Sequence, residues 1–311
     1  MSDREVPVPA PEGTPARPEG SASGRSVGIT GAYGYVGSLL RRAFDRAGWR
    51  TVALVRAPRP DDPTARHFDL GDDPHAGDVV EGLHLLVHCA WDFGVTDREA
   101  IWAINVDGAR RLLERSQDLH RVIIVSSMSA YPGTPQLYGR AKLAVERDAL
   151  DRGHCVVRPG LVYGPGAGGM AGALTRLARL PVVPVVTGAD RQFPVHEDDL
   201  AAAVVALADT PRPPCVAIGV AQPKPLSFAA LLRALSPRRS GPHAVPVPWQ
   251  LPYGLLRVAE RMGVTLPFRA DSLIGLVRPA PFVPHPEALA ALGVSPRVLV
   301  DLVKCRERPL S

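Results

Sequence analysis

Lysine is nearly absent from this chain. Of 36 basic residues only Lys142, Lys224 and Lys304 are lysines; the rest are arginine. The net charge of +5 is scattered, with no run of five basic residues. That excludes the charge block of a nucleic-acid arm and leaves a solvated surface. Arginine does not deprotonate, so a lysine kept in such a chain points to a need for a primary ammonium. Cysteine is scarce too: Cys89, Cys155, Cys215 and Cys305 are far apart and form no C-x-x-C pair. That spacing favours buried free thiols over disulfides or a metal site, and the first three fall in predicted strands, as buried thiols of a reducing compartment would. No apolar run reaches the ~18 residues of a membrane span. The first residues lack the basic-then-apolar order of an export signal, so the expected location is cytoplasmic. Residues 1–24 are rich in Pro, Gly, Glu, Ser and Ala; they bury too little to offset ordering entropy and are expected to be a disordered tail.

What remains is apolar and regular. Aromatics are only 5% of residues, yet 46% of the chain is hydrophobic, enough for a sizeable core. From residue 25 short strands alternate with amphipathic helices. Strands are predicted at 26–30, 51–55, 67–70, 83–89, 121–126 and 155–158, with a further one at 215–220. Helices are predicted from Val36 to Ala47 and at 101–114 and 138–150. The alternation implies an α/β fold, a Rossmann-type doubly wound parallel sheet covered on both faces. Residues 25–165 form the predicted nucleotide-binding domain. Residues 166–311, richer in proline and short helices, form the smaller substrate lobe, with about 191–219 returning to the sheet domain. Asp198 or Asp199 is the expected cap of a helix running to about Ala208.

The first strand runs into Thr30-Gly31-Ala32-Tyr33-Gly34-Tyr35-Val36-Gly37. Gly31 permits a tight turn, Gly34 allows backbone approach to a pyrophosphate, and Gly37 lets the helix pack closely. The helix N-terminus then faces the anion with free N–H groups and its positive dipole end. Gly31, Tyr33, Gly34, Tyr35, Val36 and Gly37 are thus candidate cofactor contacts. An NAD-selective site carries an acid near the end of the second strand. Here Arg56 stands in that place, with Arg59 beyond it. A guanidinium pairs with a 2′-phosphate, so NADP is favoured, with NAD the other cofactor the loop admits.

Tyr138-Gly139-Arg140-Ala141-Lys142 opens a helix, and the i, i+4 spacing puts phenol and ammonium on one face. The ammonium is expected to lower the tyrosine pKa, so that Tyr138 exchanges a proton with a substrate oxygen during hydride transfer. Ser126 and Ser127 place hydroxyls at the carboxyl end of the fifth strand. Asn105, within a predicted helix, is either a hydrogen-bond relay or a backbone contact.

Together these residues resemble the short-chain dehydrogenase/reductase superfamily, in its extended, epimerase/dehydratase-like branch. The resemblance spans about residues 26–209. Its marks include Thr30-Gly31-x-x-Gly34-x-x-Gly37, Asp69-Leu70, His88-Cys89-Ala90, Asn105-Val106-x-Gly108, Ser126-Ser127, Tyr138-x-x-x-Lys142, Arg158-Pro159-Gly160 and Val195-His196-x-Asp198-Asp199. It implies that Ser127 is the catalytic serine beside Tyr138 and Lys142. Asp69 and Leu70 would border the adenine and Ala90 would line the cleft. Lys142 would also bond the nicotinamide ribose, with Pro159 and Gly160 near the nicotinamide. His196 and Asp198 look structural.

Three departures bear on substrate. Met128 and Ser129 stand where sugar-nucleotide dehydratases carry an Asp-Glu pair. Leu161 replaces the asparagine that holds a substrate diphosphate in many relatives. Only ten residues separate Ser127 from Tyr138. These favour a small or apolar substrate with a ketone or secondary alcohol, and so a carbonyl reductase or alcohol dehydrogenase. A nucleotide-sugar epimerase is the first alternative, a redox-inert NADP-binding protein the second, although such proteins lose the Tyr–Lys pair. The sequence leaves a homodimer open.

Overall fold

The computed structural model describes residues 24–71, 79–238, 241–264, 266 and 268–299. Residues 1–23 of the expected tail over 1–24, Lys304 and Cys305 lie outside the described residues. The chain begins with β1 (Ser26–Thr30), α1 (Tyr35–Arg46), β2 (Arg50–Val55), β3 (Arg66–His67) and β4 (Leu85–His88). Then follow α2 (Arg98–Ala100), a π-helical turn (Ile101–Val106), α3 (Asp107–Arg115), β5 (Arg121–Val125), α4 (Leu137–Asp151), β6 (Cys155–Pro159) and β7 (Leu161–Tyr163). The remainder is α5 (Gly169–Leu177), β8 (Val182–Val186), β9 (Pro194–His196), α6 (Glu197–Asp209), β10 (Ala217–Val220), α7 (Phe228–Leu235), β11 (His243–Val247), α8 (Gln250–Arg261), α9 (Ala270–Val277) and α10 (Pro286–Ala291).

Seven strands form a parallel sheet in the order β10-β6-β5-β4-β1-β2-β3. The chain winds outward from β1 through β3, then returns to the other side of β1 with β4. A crevice therefore opens at the carboxyl ends of β1 and β4, where such folds bind ligands. Alternate strand residues point to opposite faces, and each face has its own core. Ile29, Val87 and Ile123 pack under Leu40 and Phe44 of α1 and Leu200 and Leu207 of α6. Leu54, Leu86 and Ile124 pack under Leu112 of α3 and Val145 of α4. Burial on both faces is why these strands read as continuous apolar runs. A third core joins Leu174 of α5, Leu231 of α7 and Leu276 of α9. The pairs β8–β11 and β7–β9 are separate two-stranded sheets.

Several local expectations change. The third strand is only Arg66–His67, and the fourth starts at Leu85 because the Leu83 N–H closes a turn on the Val80 carbonyl at 3.1 Å. The helix expected over 101–114 begins as the π-turn before α3. Its buried Asn105 accepts from the Asp92 N–H at 2.6 Å and donates to the Asp92 carbonyl at 3.2 Å. Asn105 is thus a backbone clamp. The cap of α6 is His196, whose ring nitrogen accepts from the Asp198 N–H at 3.2 Å; Asp198 and Asp199 fall in the first turn, where acids complement the dipole. Cys155 is buried in β6 and Cys89 half-buried just past β4, but Cys215 is exposed before β10. The strand there starts two residues later than the apolar pattern suggested. Among the described residues no helix is long and apolar enough to cross a membrane.

Candidate active site

At the end of β1 the chain turns sharply. Gly31 has φ +65°, and its N–H bonds the Leu54 carbonyl at 2.9 Å. A side chain there would be strained and would press on the Ala90 backbone. A Cβ at Gly37 would collide with the Gly31 carbonyl, so this position sets how closely α1 approaches the loop. Gly34 caps α1 without any side-chain hydrogen bond. The first N–H groups of α1 therefore face the crevice as donors. Thr30 ties β1 to β4: its hydroxyl oxygen accepts from the Cys89 and Ala90 N–H groups at 3.0 Å and shares a 2.9 Å hydrogen bond with His88. Burial holds that imidazole neutral, its pKa lowered to about 3.

Around this loop lies a cleft of about 740 Å³, and all the sequence-derived cofactor candidates stand on its wall. Tyr33 donates to Asp62 at 3.2 Å and carries the Arg59 guanidinium 4.2 Å above its ring. Tyr35 donates to Glu197 at 2.7 Å; burial and this carboxylate raise its pKa. Arg56 is 68% exposed at the rim and lies 3.5 Å from the Asp92 carboxylate. Asp69 accepts from the Gly71 N–H at 3.0 Å, and the Leu70 carbonyl accepts from Arg111 at 2.6 Å.

A second cavity, of about 820 Å³, opens beside the first. Ser127, Tyr138, Pro159, Gly160, Trp91 and Phe93 belong to both walls. The phenol is therefore at the junction of the two spaces. Tyr138 packs edge-on against Trp91 at 5.1 Å and stacks on Phe93 at 6.0 Å, with the Ser127 hydroxyl near its phenol. Lys142 donates to the Val125 carbonyl at 3.0 Å and sits 4.4 Å above the Trp91 ring. The electrostatics correct a sequence expectation. Tyr138 is pushed above the ordinary tyrosine value, first by burial; the Ser127 hydroxyl opposes this and the Glu146 charge adds to it. The ammonium is affected too: burial lowers it to about 8. Desolvation thus outweighs the pairing that the i, i+4 spacing suggested.

Two positions that sequence reasoning passed over hold this geometry. Glu146, a further turn along the Tyr138 and Lys142 face of α4, grips Arg158 of β6, with Nη2–Oε2 2.5 Å and Nε–Oε1 2.9 Å. The pair is largely buried and fixes α4 to the strand carrying Pro159. Its signal was legible as an i+4, i+8 continuation of the motif. Asp271 of α9 accepts from the Leu137 N–H at 2.8 Å and the Tyr138 N–H at 3.1 Å. It caps α4 from 133 residues away, where local spacing carries no signal. Ser126 Oγ is buried without a hydrogen-bond partner among the described residues and lines the first cleft.

These features fit a dinucleotide. Uncapped helix N–H groups, a glycine turn closed to side chains and an unpartnered buried hydroxyl all face one cleft, with cationic Arg56 at its rim. Residues 27–219 match the model of the NAD dependent epimerase/dehydratase family. The chain is 34% identical over 195 residues to the ceramide reductase of Caulobacter vibrioides (strain NA1000 / CB15N), covering 60% of this chain and 61% of that protein. It is 25% identical over 190 residues to the dTDP-4-dehydro-6-deoxy-D-allose reductase of a Streptomyces species, covering 47% of this chain and 58% of that one. The chain thus matches about three fifths of the length of these relatives. Among solved structures, MoeE5 in complex with UDP-glucuronic acid and NAD superposes with a TM-score of 0.65 at 21% identity, covering 91% of this chain and 100% of that one. At that identity the likeness concerns the fold.

Proposed function

This chain belongs to the NAD dependent epimerase/dehydratase family, and from that premise we propose that it is an NADP(H)-dependent reductase of ketones, or dehydrogenase of the corresponding secondary alcohols. The observation that carries the reading is Tyr138 at the junction of the two cavities, beside Ser127 and kept protonated by burial. A neutral phenol there is a proton donor. When bound, NADPH supplies the hydride. Gly31, Gly34 and Gly37 with the α1 N-terminus would hold the pyrophosphate, Arg56 the 2′-phosphate, and Asp69, Leu70 and Ala90 the adenosine side. Ser127 would bond the carbonyl oxygen and orient it toward Tyr138. The phenol proton passes to that oxygen as the carbonyl carbon accepts hydride, leaving an alcohol and a phenolate. Lys142, one turn on, stabilises the phenolate through its charge.

The walls speak to the substrate. Trp91, Phe93, Val95, Met170, Phe193 and Leu161 give the second cavity an apolar share of its wall. This suits a ketone with an apolar substituent, and the ceramide reductase name of one relative points the same way. A nucleotide-sugar epimerase is the second reading, favoured by Arg176 and Arg191 on the same wall. Net cofactor turnover separates them. The enzyme mixed with NADPH and a panel of ketones should oxidise NADPH in step with alcohol formed. Interconversion of UDP-glucose and UDP-galactose with no net NADPH oxidation on any ketone would overturn the reductase.

A further inference from the structure

Two glutamines are buried on the wall of the second cavity, and they differ in what they hold. Gln192 is engaged: its Nε2 donates to the Leu276 carbonyl of α9 at 2.9 Å. Gln136 is not. Its side-chain carbonyl oxygen is buried without a hydrogen-bond partner among the described residues. Leaving an acceptor buried and unpaired is destabilising, and native chains keep few of them.

The surroundings explain why this amide is unused. Gln136 stands at the N-cap of α4 with extended backbone, where a polar side chain ordinarily accepts from the first turn of its own helix. Asp271 of α9 has already taken the Leu137 and Tyr138 N–H groups, and Gln136 makes no side-chain cap. Its backbone is pinned all the same. The Gln136 N–H donates to Thr134 Oγ1 at 3.4 Å, and the Gln136 carbonyl accepts from the Arg140 N–H at 3.0 Å. The carboxamide lies against Gly275 of α9, where a Cβ would stand 2.8 Å from both its oxygen and its nitrogen. Glycine inside a helix is unfavourable; at this position it makes room for the amide. Gln136 and Gly275 line the same wall as Ser127 and Tyr138, and Gln136 precedes Tyr138 by only two residues.

We propose that Gln136 selects the substrate: its carboxamide hydrogen-bonds a hydroxyl that lies one or two carbons from the substrate carbonyl. A carboxamide donates from one end and accepts at the other, and a hydroxyl can serve either end. Leu161 and Phe193 on the same wall suit an apolar remainder. The substrate class is therefore an apolar hydroxy ketone. A ketone without the hydroxyl leaves the amide buried and unpaired, which is how a polar site rejects a deoxy analogue. The proposal rests on the reductase reading and names the substrate class of that same site.

The test is NADPH oxidation by the full chain with 2-octanone and 2-dodecanone, each beside its 1-hydroxy and 4-hydroxy derivatives. Wild-type kcat/KM should be at least about tenfold higher for a hydroxy ketone than for its plain parent. Gln136→Met keeps the length of the side chain and removes its hydrogen bonds. It should lower that ratio about tenfold, with kcat/KM for the plain ketone held within about twofold. The comparison of ratios cancels the effect of the hydroxyl on the reactivity of the carbonyl itself. Equal wild-type kcat/KM with and without the hydroxyl overturns the proposal, whether or not the variant folds, and leaves the reductase standing. So does a Gln136→Met variant that keeps the ratio, or one that loses both ketones alike, which would make Gln136 a support for Tyr138. No NADPH oxidation on any ketone overturns the reductase reading and this proposal with it.

Discussion

The two cavities share Tyr138 but are made of different material. The first is built from the ends of β1, β2, β4, β5 and β6 and the glycine turn after β1, and glycines and backbone groups shape its phosphate end. The second takes much of its wall from residues 253–280, carried on short helices about 100 residues or more along the chain from α4. A backbone-built site tolerates little: Gly37 has no room for a Cβ. A side-chain-built site can be re-lined, which is how one fold comes to accept different substrates.

Changes to the shared wall should have the largest effect. Tyr138→Phe should keep NADPH affinity while turnover falls by ~10²–10⁴, the range of a lost general acid; steady-state kinetics with a parallel NADPH titration checks both. Lys142→Arg should not restore activity, since a planar fork does not replace a compact ammonium. Lys142 is depressed to about 8, so it is charged below that pH and neutral above it. The kcat/KM for ketone reduction in the wild type should therefore fall as pH rises past about 8, and a flat profile to pH 10 would detach Lys142 from catalysis.

Next comes the clamp between α4 and β6. Glu146→Ala leaves the Arg158 guanidinium buried without its carboxylate, a change that costs about 3–5 kcal/mol. Urea unfolding should read the loss directly. A difference under 1 kcal/mol would mean that Arg158 finds water.

The first cavity alone should answer to Arg56→Asp. NADPH affinity should drop by about tenfold, a modest figure because the guanidinium is exposed and shared with Asp92. NADH affinity should hold or rise, and the effect should shrink with added salt. An unchanged preference in calorimetric titration would pass the phosphate contact to Arg59.

The smallest effect belongs to Asp271→Ala, which removes a cap worth about 1 kcal/mol. It lies on the second-cavity side yet acts on α4. A melting temperature and a kcat that both stay at wild-type values would show that Tyr138 is positioned without it.

The residues themselves determined the doubly wound sheet, the glycine turn and the Tyr138–Lys142 face, because each depends on a local period: two for strands, 3.6 for helices, fixed offsets for a turn. Tertiary structure decided what those groups experience. Spacing alone suggested an ammonium that acidifies Tyr138. Burial under Trp91 and Phe93 instead raises the phenol and lowers the ammonium, since desolvation depends on atoms that arrive from elsewhere in the chain. The sheet register likewise left Cys215 outside β10, and the last residue of β9, His196, became the cap of α6. Asp271 reaches α4 only because α9 packs beside it, a contact set by the third core and invisible to any local pattern.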